Sequence, residues 1–143
     1  MLVVDTNILV YAADADSAWH QVSRNWLDRQ RSRPDAWYIT WPILYEFLRV
    51  TTHKRVMKRP WSVTQAWSFV SALLASPGLG VLTATPRHAD VAAEVFREVP
   101  KLSGNLLHDT HTAILMREHG LRTICTRDTD FERFPFLEIV EPQ

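Results

Sequence analysis

Two aspartates one residue apart follow an apolar run near the end of the chain, in the stretch ICTRDTDF. Asp128 and Asp130 at this spacing have three ordinary uses: they form a turn, they hold a metal ion in a loop, or they include the nucleophile of a phosphatase. The pair alone does not decide among these uses. The decision depends on which other reactive side chains the fold brings beside it.

Three more acids stand where chemistry could use them. Asp5 directly follows the apolar run LVV, Glu46 interrupts an otherwise apolar helical segment, and Asp109 lies near the start of a predicted helix. Each also has a structural interpretation, since an Asp after a strand often forms a turn or caps a helix. Glu46 could pair with Arg49 one turn later, and an acid in a first helical turn suits the helix dipole.

The elements that would position these acids alternate along the chain. Short apolar or β-rich runs predict strands at residues 2–4, 37–40, 80–85, 122–126 and 137–140. Apolar residues at helical spacing predict helices over 17–31, 41–50, from 62 to the SPGLG stretch, 87–99 and 106–119. Pro42 suits a first helical turn, SVTQ is a capping box, and Gly120 ends the last of these helices.

This alternation predicts an α/β fold, a three-layer α/β/α sandwich with a central, mainly parallel sheet. In such sheets, ligands bind beyond the carboxyl ends of the strands. Four segments would each bring an acid to that edge, namely those of Asp5, Glu46, Asp109 and Asp128. Clustered carboxylates repel one another, so a cation among them would stabilise the arrangement. Oxygen ligands suit magnesium or manganese rather than zinc, and the chemistry indicated is metal-assisted cleavage of a phosphodiester.

The amino-acid composition limits which other classes of protein the chain could belong to. The 143 residues carry no formal net charge, 46% are hydrophobic and one is a cysteine. We therefore expect one folded domain over 1–143 without an internal disulfide. The chain start lacks a basic segment and no apolar stretch nears the ~20 residues that span a bilayer, so we expect a cytoplasmic protein. The net charge of zero is unevenly distributed along the chain. One third of the chain is basic, because no acidic residue lies between Glu46 and Asp90.

Four stretches in this order resemble the PIN-domain ribonucleases, and more narrowly the VapC toxins of bacterial toxin–antitoxin pairs. They are VVDTNILVYA, LYEFLR, GNLLHDTHTAILMREHG and TICTRDTDFERFP. The resemblance covers essentially the whole chain, and the combination of the first and last stretches is its most specific part. It implies the PIN fold and a metal-dependent ribonuclease activity.

The resemblance also implies a site, residue by residue. The family's catalytic acidic quartet is matched by Asp5, Glu46, Asp109 and Asp128. Its magnesium or manganese ligands would come from Asp5, Asp109, Asp128 and, in a lesser role, Asp130. Two polar positions that hydrogen-bond the carboxylates in the family are matched by Asn7 and Thr126. A turn former and a strand-end hydroxyl are the structural alternatives for these two.

An RNA substrate, a homodimer and a cognate VapB-type antitoxin that blocks the site are further implications of the resemblance. Phosphates would need positive charge beside the acids, and the basic stretch after Glu46 could supply it. The candidate RNA-binding residues are Arg49, Lys54, Arg55, Lys58 and Arg59. The alternative is a solvated basic helix end, where Lys and Arg also suit the dipole.

Aromatic and histidine side chains near the predicted site have structural interpretations as well. Trp41 and Trp61 could stack on bases, but we expect core or dimer-interface residues. His108 and His111 flank Asp109. Because a metal-activated water needs no general base, we expect packing or peripheral contacts from both.

Two other functions remain open on sequence grounds. A haloacid-dehalogenase-like phosphatase carries its Asp-x-Asp nucleophile after the first strand, whereas here the first strand leads into DTN and Asp-x-Asp comes last. A non-catalytic PIN-like module that binds RNA or serves as a scaffold would be expected to lack one or more of the acids. None is missing from this chain.

Overall fold

Five strands form one parallel sheet in a computed structural model that describes residues 1–143. They are β1 (Val3–Val4), β2 (Trp37–Thr40), β3 (Leu79–Leu82), β4 (Thr123–Cys125) and β5 (Glu138–Val140). Their order across the sheet is β3-β2-β1-β4-β5, and every neighbouring pair is parallel. Val3 aligns with Tyr38 on one side and Ile124 on the other, so β1 lies at the centre of the sheet. Both its residues are buried, as its continuous apolar run predicts.

Six helices connect and cover the strands. They are α1 (Thr6–Ala13), α2 (His20–Ser32), α3 (Trp41–Thr51), α4 (Val63–Leu74), α5 (His88–Glu98) and α6 (Leu106–Glu118). Helices α1 to α4 pack on one another, and α5 packs on α6. Right-handed crossovers place these two groups on opposite faces, because the chain runs from β1 out to β3 and then returns across β1 to β4. The predicted three-layer α/β arrangement is confirmed.

Local sequence features begin and end several helices as predicted. The Thr40 hydroxyl caps α3, which has Pro42 in its first turn. The Ser62 hydroxyl accepts the backbone N–H of Gln65 at 3.1 Å, and the Gln65 side chain accepts the backbone N–H of Ser62 at 2.9 Å. This completes the capping box at the start of α4. Gly120 follows α6 with a φ of 69°, the left-handed conformation that commonly ends a helix.

The strand predicted at 80–85 is wrong in extent, since β3 ends at Leu82. Beyond it the chain turns toward the end of α6. The backbone N–H and the hydroxyl of Thr85 both donate to Glu118, at 2.8 and 2.6 Å. The carbonyl of Thr83 is 2.8 Å from Nε2 of His119. These bonds to Glu118 at the end of α6 and to its C-cap His119 hold the segment away from the sheet and satisfy backbone groups that a longer strand would have paired within it.

Helix α1 is absent from the elements predicted above. Asp5 forms its N-cap, and its buried side chains are Ile8, Leu9, Ala12 and Ala13. This spacing is that of one helix face, which packs against α2 and α3. In eight mostly apolar residues directly after a strand, the sequence does not separate a helix from an extended segment.

Two buried phenylalanines anchor the segment that follows β4. Phe131 and Phe134 are fully buried, and their rings are 6.2 Å apart. Both belong to one cluster of 28 buried hydrophobic residues, so the loop between β4 and β5 is held by the main core. No helix in the structure combines the length and the apolarity needed to cross a membrane.

Gly78 lies at the amino edge of the sheet, where the backbone leading into β3 touches the segment before β2. A Cβ at Gly78 would stand 2.1 Å from the carbonyl oxygen of Asp35, and the Gly78 carbonyl accepts the N–H of Trp37 at 3.0 Å. We predict that Gly78→Ala lowers the free energy of unfolding in urea by about 3 kcal/mol, because backbone must move to relieve the clash. Gly104→Ala is the control, with a φ of 58° but no atom within 4 Å of the added Cβ. It should cost about 1 kcal/mol, and equal losses would contradict the clash.

Candidate active site

Five carboxylates reach one cleft at the carboxyl edge of the sheet. The cleft has a volume of about 1120 Å³, and its acidic lining residues are Asp5, Glu46, Asp109, Asp128 and Asp130. The first follows β1, the second lies on α3, the third on the first turn of α6 and the last two follow β4. Strands β1 and β4 are neighbours at the point where the connections change direction. The acids therefore lie at the topological switch point, where parallel sheets bind ligands.

Three of these acids are close enough to share one ion. Asp109, Asp128 and Asp130 each offer an oxygen, and these oxygens lie within 4.8 Å of one another. The Asp128 carboxylate also accepts the backbone N–H of Asp130 at 2.9 Å, which begins a 3-10 turn at Thr129–Arg133. The turn thus fixes the positions of Asp128 and Asp130 relative to each other. A group with only oxygen ligands fits a hard divalent cation.

Asp5 is buried beside this group and is held by a hydrogen-bond network. Its Oδ2 accepts the hydroxyl of Thr126 at 2.8 Å and the amide of Asn7 at 3.3 Å, and its Oδ1 accepts the N–H of Thr6 at 2.8 Å. The Thr126 hydroxyl in turn accepts the Asn7 amide and the backbone N–H of Asp128, both at 3.0 Å. The Thr126 hydroxyl thus uses its one donor and both of its acceptor positions. Through these bonds it connects Asp5 to the loop of Asp128.

Burial and mutual repulsion make two of the carboxyl groups hold protons more tightly than usual. Burial raises the pKa of Asp5 from its ordinary 3.8 to about 6, and the nearby charges of Asp128 and Glu46 add to the rise against the opposing bonds from Thr126 and Thr6. Burial, then the charges of Asp5 and both loop aspartates, raises the pKa of Asp109 to about 7. Both shifts follow from the cost of burying a charged carboxylate and of placing like charges together.

Glu46 lines the cleft but is paired with a cation of its own helix. Two nitrogens of Arg49 reach its carboxylate, Nε at 3.0 Å and Nη2 at 2.6 Å. The bond from Arg49 lowers the pKa of Glu46 below its ordinary value. The pairing considered from the sequence is therefore present, and Glu46 does not join the group of three that could share an ion.

The candidate RNA-binding residues are spread unevenly around the cleft. Arg49 lines it, whereas the other four do not. Arg59 is paired with Asp16, whose two carboxylate oxygens lie 2.9 and 3.0 Å from its guanidinium. Lys54, Arg55 and Lys58 are exposed. Positive charge is thus available outside the cleft, on the turn that follows α3.

The aromatic and histidine residues separate into different environments. Trp61 packs on Phe47 and belongs with the core, as expected, with ring centroids 6.4 Å apart. Trp41 is 39% exposed, so it is not a core residue. His108 lines the cleft. His111 does not; it faces His88 at 5.7 Å between ring centroids, and its pKa is lowered by burial.

Five polar residues of the cleft lining were missed from the sequence. They are Thr6, Tyr11, Tyr45, Asn105 and Thr112. Helical spacing gives the signal for two of them, since Tyr11 lies one turn beyond Asn7 on α1 and Thr112 lies one turn beyond Asp109 on α6. The first depends on recognising α1 as a helix, which the sequence alone did not allow.

Comparison with known proteins gives the family of the chain. Residues 2–137 match the PIN domain family. Ribonuclease VapC37 of Mycobacterium tuberculosis is 36% identical over 142 residues, which cover 99% of this chain and 97% of that protein. The chain belongs to the PIN-domain family and, within it, to the VapC ribonucleases.

Solved structures share the fold along the whole chain. VapBC2 from Rickettsia felis, bound to a DNA fragment from their promoter, superposes with a TM-score of 0.71 at 20% identity, covering 99% of this chain and 98% of that one. VapC20 of Mycobacterium tuberculosis, a sarcin–ricin loop cleaving toxin, gives 0.69 at 20% identity and covers 99% and 100%. The five-stranded parallel sheet with six helices is therefore the PIN architecture.

The raised pKa values predict how stability depends on pH in the metal-free protein. Above a pH of about 4 the unfolded chain has released protons that the folded state keeps on Asp5 and Asp109, so stability falls as pH rises toward about 7. For Asp5, whose pKa rises from 3.8 to about 6, the loss is on the order of 3 kcal/mol. Urea unfolding across this range measures it.

Asp5→Asn should reduce this pH dependence without abolishing it, because the substituted side chain no longer titrates whereas Asp109 still does. Asp35→Asn is the matched control, since Asp35 pairs with Arg33 at 2.8 Å just before β2, at the opposite edge of the sheet. Identical pH profiles for Asp5→Asn and the unsubstituted protein would show that the buried carboxyl group does not hold its proton in this window.

Proposed function

We propose that the protein is the toxin of a VapBC-type toxin–antitoxin pair, an endoribonuclease that uses magnesium or manganese to cleave RNA phosphodiester bonds. Membership of the VapC ribonucleases supports the activity. The observation that carries the metal dependence is the group formed by Asp109, Asp128 and Asp130, with buried Asp5 beside it. Four like charges at one edge of a sheet are stable together when a cation balances them.

In this mechanism each acid has a part set by its position. Asp109, Asp128 and Asp130 would hold the cation, and Asp5 would complete its surroundings from the centre of the sheet. The bound ion supplies Lewis-acid polarisation of the phosphate and a water of lowered pKa. Thr126 and Asn7 keep Asp5 oriented through their hydrogen bonds. Glu46 lines the same cleft from α3, where the bonds from Arg49 keep its carboxylate ionised.

RNA phosphates need positive charge near this acidic cleft. Arg49 lines the cleft on α3 but is paired with Glu46, so the free positive charge lies on the exposed cations that follow it. Lys54, Arg55 and Lys58 would steer the polyanion toward the cleft by long-range attraction. Arg59 would contribute less, because Asp16 already neutralises it.

A cognate VapB-type antitoxin, a homodimer and a cytoplasmic location complete the proposal. The VapBC2 complex supports the antitoxin by its similarity of fold. Large apolar side chains that one chain leaves exposed support the homodimer. They include Trp41, Tyr45, Val63, Trp67 and Phe96. The other functions considered from the sequence have less support, since a phosphatase would need Asp-x-Asp after the central strand and a scaffold would not need the acids.

We predict that the protein, purified free of antitoxin, cleaves RNA only when magnesium or manganese is present. Asp109→Asn should lower the cleavage rate by at least about 100-fold, because the substitution removes a charged ligand from the group of three. Gel analysis of labelled RNA measures the rate, and circular dichroism checks the fold. Asp35→Asn, far from the cleft, should retain activity. Full cleavage in the presence of a chelator would exclude the metal mechanism, and RNA binding without any cleavage would favour a scaffold.

The two aspartates of the last loop should differ in importance. The charge of Asp128 raises the pKa of both Asp5 and Asp109, whereas Asp130 acts on Asp109 alone. Asp128 also caps the 3-10 turn through the N–H of Asp130. We predict that Asp128→Asn lowers the cleavage rate about tenfold more than Asp130→Asn. The opposite order, measured at equal metal concentration, would reverse the assignment within this loop.

A further inference from the structure

Arg127 stands between two residues of the site and has no part in the proposed chemistry. Its neighbour Thr126 bonds Asp5, and its other neighbour Asp128 belongs to the group of three acids. The Arg127 side chain is only 13% exposed, and it does not line the cleft. A charged side chain buried to this degree needs partners, and those partners lie away from the acids.

Three elements of the fold meet at Arg127. Its guanidinium carbon lies 3.7 Å from the centre of the Trp19 ring, at the start of α2. Its Nη1 lies 2.6 Å from Oε2 of Glu141, which follows β5. Its backbone N–H donates to the side-chain oxygen of Asn7 on α1 at 3.4 Å. A cation–π contact and a charge-assisted bond together fix both the plane and the direction of the guanidinium.

Because the loop after β4 is short, the contacts of the Arg127 side chain restrict the positions of the residues on either side of it. Strand β4 ends at Cys125 and the 3-10 turn begins at Thr129, so three residues carry the chain from the sheet to the acids. Thr126 and Asp128 are hydrogen-bonded on the cleft side. Arg127 is the one of the three whose side chain holds the opposite side, against Trp19 and Glu141. A displacement at Arg127 would therefore be transmitted to both neighbours.

We propose that Arg127 is a positioning residue, clamped between Trp19 and Glu141, that sets the place of Asp128 relative to Asp109 and so the affinity of the cleft for a divalent cation. This inference rests on the proposed metal-dependent function. A guanidinium that only stabilised the fold would affect unfolding and leave the affinity for the cation unchanged.

The chain contains a matched control for this distinction. Arg117, in the last turn of α6, also lies over an aromatic ring, with its guanidinium carbon 4.0 Å from the centre of Phe136. Its Nη2 lies 2.6 Å from a carboxylate oxygen of Glu98, and its side chain is 22% exposed. The two arginines thus make the same kinds of contact at similar burial. Only Arg127 lies in the loop that carries the acids.

The test is titration of metal-free protein with manganese, followed by calorimetry and by the electron paramagnetic resonance of free manganese. Arg127→Met keeps the aliphatic stem and removes the cation, and it should weaken manganese binding about tenfold or more, the effect typical of residues that orient ligands. Arg127→Lys should be intermediate, because it keeps the charge but not the planar stacking. Arg117→Met should lower stability in urea to a similar extent and leave manganese affinity unchanged.

RNA cleavage supplies a second readout. Raising the manganese concentration should restore the cleavage rate of Arg127→Met toward that of the unsubstituted protein, because the ligands themselves are intact. If Arg127→Met does not fold, Trp19→Leu and Glu141→Gln test the clamp from its other two members, and weakened manganese binding is again expected.

Two results would overturn the inference. Equal manganese affinity for Arg127→Met and the unsubstituted protein would show that the clamp has no influence on the acids. Equal weakening in Arg127→Met and Arg117→Met would show a general effect of stability. An unsubstituted protein that neither binds manganese nor cleaves RNA would instead remove the proposed function, and the inference with it. These outcomes are distinguishable, because only in the last does the unsubstituted protein itself fail to bind manganese and to cleave RNA.

Discussion

Repulsion between carboxylates at one edge of the sheet is the constraint on which the rest of the structure depends. Burial and neighbouring charge raise the pKa of Asp5 to about 6 and of Asp109 to about 7, so the fold keeps these groups together against a cost. Packing of the hydrophobic core offsets this cost, because Phe131 ties the loop of Asp128 and Asp130 to the sheet. The packing around the site therefore maintains an electrostatically unfavourable arrangement.

The Thr126 hydroxyl connects the buried Asp5 to the loop that follows β4. It donates to Asp5 and accepts from both Asn7 and the backbone of Asp128, so the end of β1 and the loop after β4 cannot move independently. Serine would offer the same bonds with a freer torsion, whereas a β-branched residue at a strand end has a restricted side-chain angle. Orientation of the buried acid thus depends on the restricted side-chain angle of one residue.

Sequence reasoning located the acids well because their positions follow from strand ends. Asp5 and Asp128 each follow an apolar run, and parallel pairing brings such ends to one edge. It did not foresee α1, since eight residues were too few to reveal a period. Nor could it find the contact of Trp19 with Arg127, because residues so far apart in the chain meet only after the sheet and the helices have assembled.

Two hydrogen bonds from Thr85 to Glu118 distinguish helix α6 from helix α3, the other helix that lines the cleft. Helix α6 carries Asp109 in its first turn, and at its other end Glu118 is hydrogen-bonded to Thr85. Helix α3 opposes it with exposed side chains, among them Tyr45 at 65%. The wall formed by α3 therefore leaves more side-chain surface free to contact a ligand, whereas the wall formed by α6 is tied to the segment after β3.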